Sequence, residues 1–214
     1  MIKKWIKKEN RFLLLFLATL ASLVLPTFFR KELLADTLFV VTFSAMVLAG
    51  IHALKGTPVY RLSIYGGVLT IALSWLASFQ MFTNSTAQFQ LFTFLFYFAF
   101  LFYYVLSQVI REKEVNADVI YGSITCFFLL GYVGGIYFIT LENFLPGSFD
   151  FPFSEKSENL IYFSFVTVTT LGYGDITPLS HAAQRSSVVL AIAGQFYMAV
   201  VVATLVSKWA NGRK

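Results

Sequence analysis

Long apolar runs, separated by short polar segments, make up most of the sequence. Six of these runs have close to the ~20 residues that an α-helix needs to cross the hydrocarbon core of a bilayer. The pattern therefore predicts an all-α membrane protein with six transmembrane helices. The predicted spans cover residues 12–29, 33–54, 62–82, 89–110, 119–141 and 186–208.

A shorter apolar segment, residues 160–169, lies between the fifth and sixth runs. It is too short to cross a bilayer as a helix. Irregular backbone at membrane depth is tolerated only where it lines a water-filled path or is buried in protein. We therefore expect a short re-entrant helix that is followed by an irregular strand.

The irregular strand reads Thr170-Leu171-Gly172-Tyr173-Gly174-Asp175. It resembles the selectivity filter of potassium channels, which has the order Thr-x-Gly-Tyr-Gly. Gly-Tyr-Gly alone is an ordinary turn sequence, but here the short helix, the strand and the last span follow one another as in a potassium-channel pore. The resemblance is specific over residues 157–208 and only topological over the first four spans.

The resemblance implies a role for each residue of the strand. In this family, four such strands form rings of backbone carbonyls around K⁺. Carbonyls that all point one way require backbone that alternates in handedness, and glycine avoids the roughly 1–2 kcal/mol that a left-handed conformation costs other residues. Tyr173 would brace the strand, and Asp175 would act at the outer mouth as a brace or a cation attractor. The ion-binding strand would be Thr170, Leu171, Gly172, Tyr173 and Gly174, with K⁺ at Thr170, Leu171, Gly172 and Tyr173.

Two positions need separate comment. Leu171 stands where the family most often has valine. Because only its carbonyl would face the ion, we expect K⁺ selectivity to survive. The larger side chain changes the packing behind the filter, so inactivation and conductance are less predictable. Gly194 lies twenty residues after Gly174, where the family often has a hinge glycine. A gating hinge at Gly194 is one interpretation, and close packing against a neighbouring helix is the other.

Charged residues are absent from residues 62–110. Voltage-gated cation channels share the six-span layout but carry basic residues along the fourth span. One charge that crosses the full membrane field supplies about 2.3 kcal/mol per 100 mV. We therefore predict two domains: a sensor-like four-helix bundle without voltage-sensing charges (residues 1–113) and a pore domain (residues 114–214). Open probability should vary little with voltage.

Lysine and arginine are distributed unevenly between the two sides of the predicted topology. With the N-terminus inside, 12 of the 16 would face the cytoplasm, which predicts cytoplasmic N- and C-termini and an external filter mouth. A basic start before an apolar run is also the pattern of a signal peptide, although five further runs favour a first span with a basic anchor. The chain ends soon after the sixth span, and we expect no regulatory domain there.

Composition agrees with a membrane protein, since 57 % of residues are hydrophobic and 13 % are charged, against roughly a quarter charged in soluble domains. The net charge of +5 does not indicate nucleic-acid binding, because the basic residues lie at the ends of the apolar runs.

Cys126 cannot form an intrachain disulfide and is interpreted as buried and inert. Neither His52 nor His181 has a metal-ligand partner in sequence, although a pH effect of His181 on the pore is an alternative. The acidic segment at residues 142–158 should concentrate cations at the mouth, or is an ordinary solvated loop.

The combined pattern predicts a potassium-selective, largely voltage-independent channel in the plasma membrane. One chain would supply one filter strand, so a homotetramer in a lipid bilayer is expected. K⁺ would be the permeant ion, and we expect no cofactor, no nucleic-acid partner and no enzymatic activity. The alternatives are a nonselective cation channel, a potassium uptake transporter, and a modulatory pore subunit that needs an unidentified regulatory partner.

Overall fold

The computed structural model describes residues 10–28, 32–78, 84–112, 114–151 and 156–211. These residues form seven α-helices and one pair of two-residue strands. In chain order the elements are α1 (Arg11–Val24, followed by a 3-10 turn at Leu25–Phe28), α2 (Glu32–Ala53), α3 (Tyr60–Ser78), α4 (Asn84–Arg111), α5 (Ala117–Phe144), β1 (Phe149–Asp150), α6 (Lys156–Val168), β2 (Thr177–Pro178) and α7 (His181–Asn211).

A helix lies at each of the six predicted spans, and α6 lies where the short re-entrant helix is expected. Among the described residues, three helices are long and apolar enough to cross a membrane. These stretches belong to α4, α5 and α7, namely Ala87–Arg111, Ala117–Phe144 and His181–Ala210. The crossing of α1, α2 and α3 stays a prediction.

The predicted first span, residues 12–29, is wrong at its end. Helix α1 ends at Val24, and the chain continues as a 3-10 turn. Pro26 lies within this turn, and proline has no N–H to donate to a carbonyl of the preceding helical turn. Helices α4, α5 and α7 instead continue a few residues beyond the predicted ends, and the end of the predicted third span, residues 79–82, lies outside the described residues.

One apolar cluster holds α1, α2, α4 and α5 together and continues onto α7. Its members include Phe12 of α1, Phe98 of α4 and Leu129 of α5, and Tyr197 extends it to α7. Lipid tails are as apolar as these side chains, so close packing and dispersion hold the helices together rather than exclusion from water. The cluster therefore joins helices from both sides of the predicted domain boundary at residue 113.

Polar contacts tie the start of α1 to the start of α5. Asp118 Oδ1 accepts hydrogen bonds from the N–H groups of Phe12 at 2.9 Å and Leu13 at 3.2 Å, so it caps the exposed amides of the first turn of α1. Arg11 is buried beside it and donates to a carboxylate oxygen of Glu112 at 2.9 Å. The two helix starts and the α4–α5 linker therefore lie together.

The end of α7 contacts the α4–α5 linker beside the starts of α1 and α5. Lys208 Nζ donates to the carbonyl of Glu112 at 2.8 Å and to the carbonyl of Ile110. A cation at this position also interacts favourably with the negative C-terminal end of α4. The ends of α4 and α7 thus lie at the same end of the molecule as the starts of α1 and α5, as alternating membrane crossings require. Which side of the membrane this end faces stays a prediction.

Replacement of Asp118 by alanine should destabilise the protein by about 1–2 kcal/mol, because α1 loses its cap and Arg11 loses a charged neighbour. Thermal unfolding of the purified protein in detergent measures this change. Glu114→Gln removes an exposed carboxylate from the same linker and serves as the control. Equal melting temperatures for the Asp118→Ala and Glu114→Gln proteins would refute the capping role.

Candidate functional site

Helix α6 lies in direct backbone contact with a glycine-rich face of α5. A Cβ atom at Gly134 would come within 2.4 Å of Ser164 Oγ, and one at Gly135 would lie 2.9 Å from the Cα of Ile161. Ser164 also donates to the carbonyl of Gly131 at 2.7 Å. Glycines spaced in this way within an apolar run are a sequence signal for close helix contact. The contact between α5 and α6 was missed because this signal was not considered for α5.

Helix α7 approaches α6 from the other side at Gly194. A Cβ atom there would lie 2.1 Å from the carbonyl oxygen of Val168, far inside any real contact. The close approach alone accounts for the glycine at this position, and no bend of α7 is needed to explain it. The gating hinge at Gly194 stays a prediction.

Backbone handedness alternates along the strand that follows α6. The φ angle is +60° at Thr170, +58° at Gly172 and +76° at Gly174, whereas Leu171 and Tyr173 between them have ordinary negative φ. Left-handed backbone is predicted for the two glycines but not for Thr170. A threonine in this conformation costs about 1–3 kcal/mol and persists only where its surroundings hold it in place.

Hydrogen bonds to α6 turn the first part of the strand in one direction. The N–H groups of Leu171 and Gly172 both donate to the carbonyl of Val166, at 3.0 and 3.4 Å. In a trans peptide the carbonyl of one residue points opposite to the N–H of the next, and the described chain has no cis peptide. The carbonyls of Thr170 and Leu171 therefore point away from α6.

The side chains of the strand are largely exposed in the single chain. Leu171 is 60 % exposed and Tyr173 is 66 % exposed. The chain itself thus provides little packing for the tyrosine ring, and the brace expected from Tyr173 stays a prediction.

Asp175 is held at the C-terminal end of the strand by α6. The hydroxyl of Tyr162 donates to Asp175 Oδ2 at 2.8 Å. This hydrogen bond raises the pKa of Tyr162, so the hydroxyl remains protonated and able to donate. This contact is compatible with a brace, and both roles expected for Asp175 at the mouth stay predictions. Tyr162 was missed because thirteen residues separate the pair and no motif links them.

The chain beyond Asp175 pairs with the segment that follows α5. Strand β1 runs antiparallel to β2, with Phe149 opposite Pro178 and Asp150 opposite Thr177. The buried ring of Phe149 also packs against Phe138 of α5, with ring centroids 5.4 Å apart. This ribbon connects the outer end of the strand to α5.

Glu142 supports the ribbon, which corrects its expected role as part of an acidic mouth. It is only 8 % exposed, and its two carboxylate oxygens accept hydrogen bonds from the N–H groups of Gly147 and Ser148, each at 2.9 Å. The carbonyl of Ser148 in turn accepts from Leu179 at 2.8 Å. A buried, hydrogen-bonded carboxylate fixes the turn and attracts few ions from solution. Asp150 is exposed, and the side chains of Glu155 and Glu158 lie outside the described residues.

A cavity of about 500 Å³ opens below the strand, between α5, the end of α6 and α7. Among the residues that the structure describes, no charged side chain lines it. The C-terminal end of α6 points its partial negative charge toward this space, which favours a cation there. Its polar side chains come from Ser123, Thr169, Thr170, Gln195 and Tyr197, and most of the remaining surface is apolar.

The remaining predicted residues lie away from the strand. Cys126 is fully buried and free, which confirms its predicted burial. His181 is exposed at the start of α7. Within the described ranges, no group of three or more histidine, cysteine, aspartate or glutamate side chains is arranged to hold a metal.

Comparison with known protein families identifies the family of the chain. The family described as "Ion channel" matches residues 90–210, which is more than half of the sequence. The match includes most of α4, all of α5 and α6, and α7 except its last residue. The protein therefore belongs to this ion channel family and is an integral membrane protein. No curated protein and no solved structure matches the chain significantly.

Replacement of Gly194 by alanine should destabilise the protein by roughly 1–3 kcal/mol, because the methyl group meets backbone that cannot move aside. Thermal unfolding in detergent measures the loss. The control is Gly66→Ala on α3, where the new methyl group would meet only a ring edge of Tyr97, at 3.1 Å. A Gly194→Ala protein of normal stability but altered channel opening would instead support the hinge.

Proposed function

We propose that the chain is a subunit of a potassium-selective channel that conducts K⁺ passively down its gradient. The observation that carries this proposal is the alternating handedness of Thr170, Gly172 and Gly174 directly after α6. A cation in a pore must exchange its water for other oxygen ligands, and carbonyls turned to one side of a strand supply them. K⁺ would bind at Thr170, Leu171, Gly172 and Tyr173.

A ring of carbonyls requires several copies of the strand around one axis, and we propose a homotetramer with cyclic symmetry. The exposure of Leu171 and Tyr173 supports this arrangement, because neighbouring subunits would cover side chains that the single chain leaves open. Helix α7 likewise has exposed apolar residues along its length, including Val189, Phe196 and Val206. Some would face neighbouring subunits and others lipid.

The proposed channel is largely insensitive to voltage and lies in the plasma membrane with both termini in the cytoplasm. In α4 the only basic residue is Arg111, at the end of the helix. The helix instead packs through aromatic side chains: Phe98 is fully buried and its ring lies tilted against that of Phe43 of α2, with ring centroids 5.3 Å apart. A helix without charges in the membrane field gains no energy from a change in potential.

Planar-bilayer recording of the purified protein, with different K⁺ and Na⁺ concentrations on the two sides, tests the proposal. We expect a reversal potential near that for K⁺, block by Ba²⁺ and an open probability that is flat with voltage. Native mass spectrometry of the same sample should give a tetramer.

Other results would identify the alternatives. A reversal potential near zero would indicate a nonselective cation channel. Leu171 would then be the first residue to examine, because it replaces the smaller valine that is usual in potassium-channel filters. A silent protein that does not form tetramers would indicate a modulatory subunit. A steep conductance–voltage curve would rule out voltage independence.

Replacement of Gly172 by alanine should abolish K⁺ selectivity and leave the fold intact. The glycine has φ +58° and open space around its Cβ position within its own chain, so the methyl group clashes with no other part of that chain. The change in backbone preference costs about 1–2 kcal/mol per subunit. The measurement is the reversal potential under K⁺ and Na⁺ gradients.

The matched control is Gly56→Ala, in the turn after α2. Gly56 also has positive φ, +86°, and open space around its Cβ position, so it carries a similar backbone penalty far from the strand. Its selectivity should equal that of the parent protein. Unchanged K⁺-selective current in the Gly172→Ala protein would contradict the assignment of the strand.

A further inference from the structure

Gln195 contacts the inner end of the strand from α7. Its Nε2 donates a hydrogen bond to Thr170 Oγ1 at 3.3 Å. The adjacent Gly194 places this part of α7 against the end of α6, so the glutamine lies level with the end of that helix. Gln195 is exposed and lines the cavity below the strand.

The contact constrains the hydroxyl of Thr170. A hydroxyl oxygen has two lone pairs and one proton, and the proton rotates to suit its surroundings. When the Gln195 amide occupies one lone pair, the proton is excluded from that direction and the second lone pair remains available to a cation. Without the amide, the hydroxyl is free to turn its proton toward the cavity and present no oxygen to an ion.

The same amide adds an oxygen near the cavity. Nε2 is used in the contact with Thr170, and Oε1 forms no hydrogen bond with the described part of the chain. An amide oxygen is a ligand that hard cations accept. Thr170 is also the strained residue of the strand, with φ +60°, and Gln195 is the side chain that reaches it from outside α6.

We propose that Gln195 is a positioning residue for the innermost cation site of the pore. The inference rests on the proposed function, in which four copies of the strand surround an axis. Four amides would then hold four Thr170 hydroxyls with their oxygens toward the axis and would place four further oxygens at the cavity end. The site would take a cation of the size of K⁺ that has lost part of its water.

Block by Ba²⁺ applied from the cavity side tests the proposal, because Ba²⁺ is close to K⁺ in size and its double charge amplifies any change in the oxygen ligands. In the Gln195→Leu channel the half-blocking concentration should rise about tenfold, as expected when a hydrogen bond near a charge is lost. The K⁺ reversal potential should remain unchanged. Gln195→Asn retains an amide but is one methylene shorter, so we expect the same loss of block from this milder variant.

Gln184→Leu is the matched control. Gln184 is on the same helix, and its amide donates to the carbonyls of Pro178 and Leu179, each at 3.3 Å, at the outer end of the molecule. Its removal should leave internal Ba²⁺ block unchanged. Equal loss of block in the Gln184→Leu and Gln195→Leu channels would show a general effect of the helix and overturn the assignment.

The remaining outcomes separate this inference from the proposed function. K⁺-selective current with normal Ba²⁺ block in both Gln195 variants would overturn the role of Gln195 and leave the channel assignment in place. A lower melting temperature with normal block would likewise show a purely structural role. A parent protein that passes no K⁺-selective current would overturn both.

Discussion

Direct contact between helix backbones is the constraint on which the proposed ion pathway depends. Helix α6 packs against both α5 and α7, and glycines lie at the close approaches, Gly134 and Gly135 on α5 and Gly194 on α7. The strand leaves the last turn of α6 and hydrogen-bonds back to the carbonyl of Val166. Its position therefore follows the position of α6, and that position is set by the glycine crossings. A methyl group at Gly135 or Gly194 would meet the backbone of α6 directly and strain the helix from which the strand leaves.

The two ends of the strand are held by polar side chains from different helices, while its middle is left open. Gln195 of α7 contacts Thr170 at the inner end, and Tyr162 of α6 contacts Asp175 at the outer end. Beyond Asp175, the β1–β2 ribbon continues the outer connection to α5. A strand that is fixed at both ends and exposed between them is suited to contact other subunits and ions, because its own chain does not fill the space around it.

Much of the fold follows from local sequence, whereas the contacts that position the strand do not. An apolar run of sufficient length predicts a helix whatever its neighbours, so all six predicted spans contain helices. The Gly-Tyr-Gly order similarly predicts left-handed backbone, since few other residues adopt it. The contacts of Tyr162 and Gln195 depend on how α6 and α7 are rotated about their axes, which apolar length does not specify. The role of Glu142 was predicted wrongly for the same reason. A carboxylate next to a loop is expected to face solvent, and only the folded turn at Gly147 and Ser148 shows that this one is buried.

The hydrogen bonds from Lys208 to the carbonyls of Ile110 and Glu112 couple the end of α7 to the end of α4. The lower end of α7 cannot swing outward unless these bonds break or α4 moves with it. Helix α4 in turn shares a core with α1, α2 and α5, so its displacement would disturb the packing of four helices. Movement at this end of α7 is therefore coupled to the packing of helices that lie far from the strand.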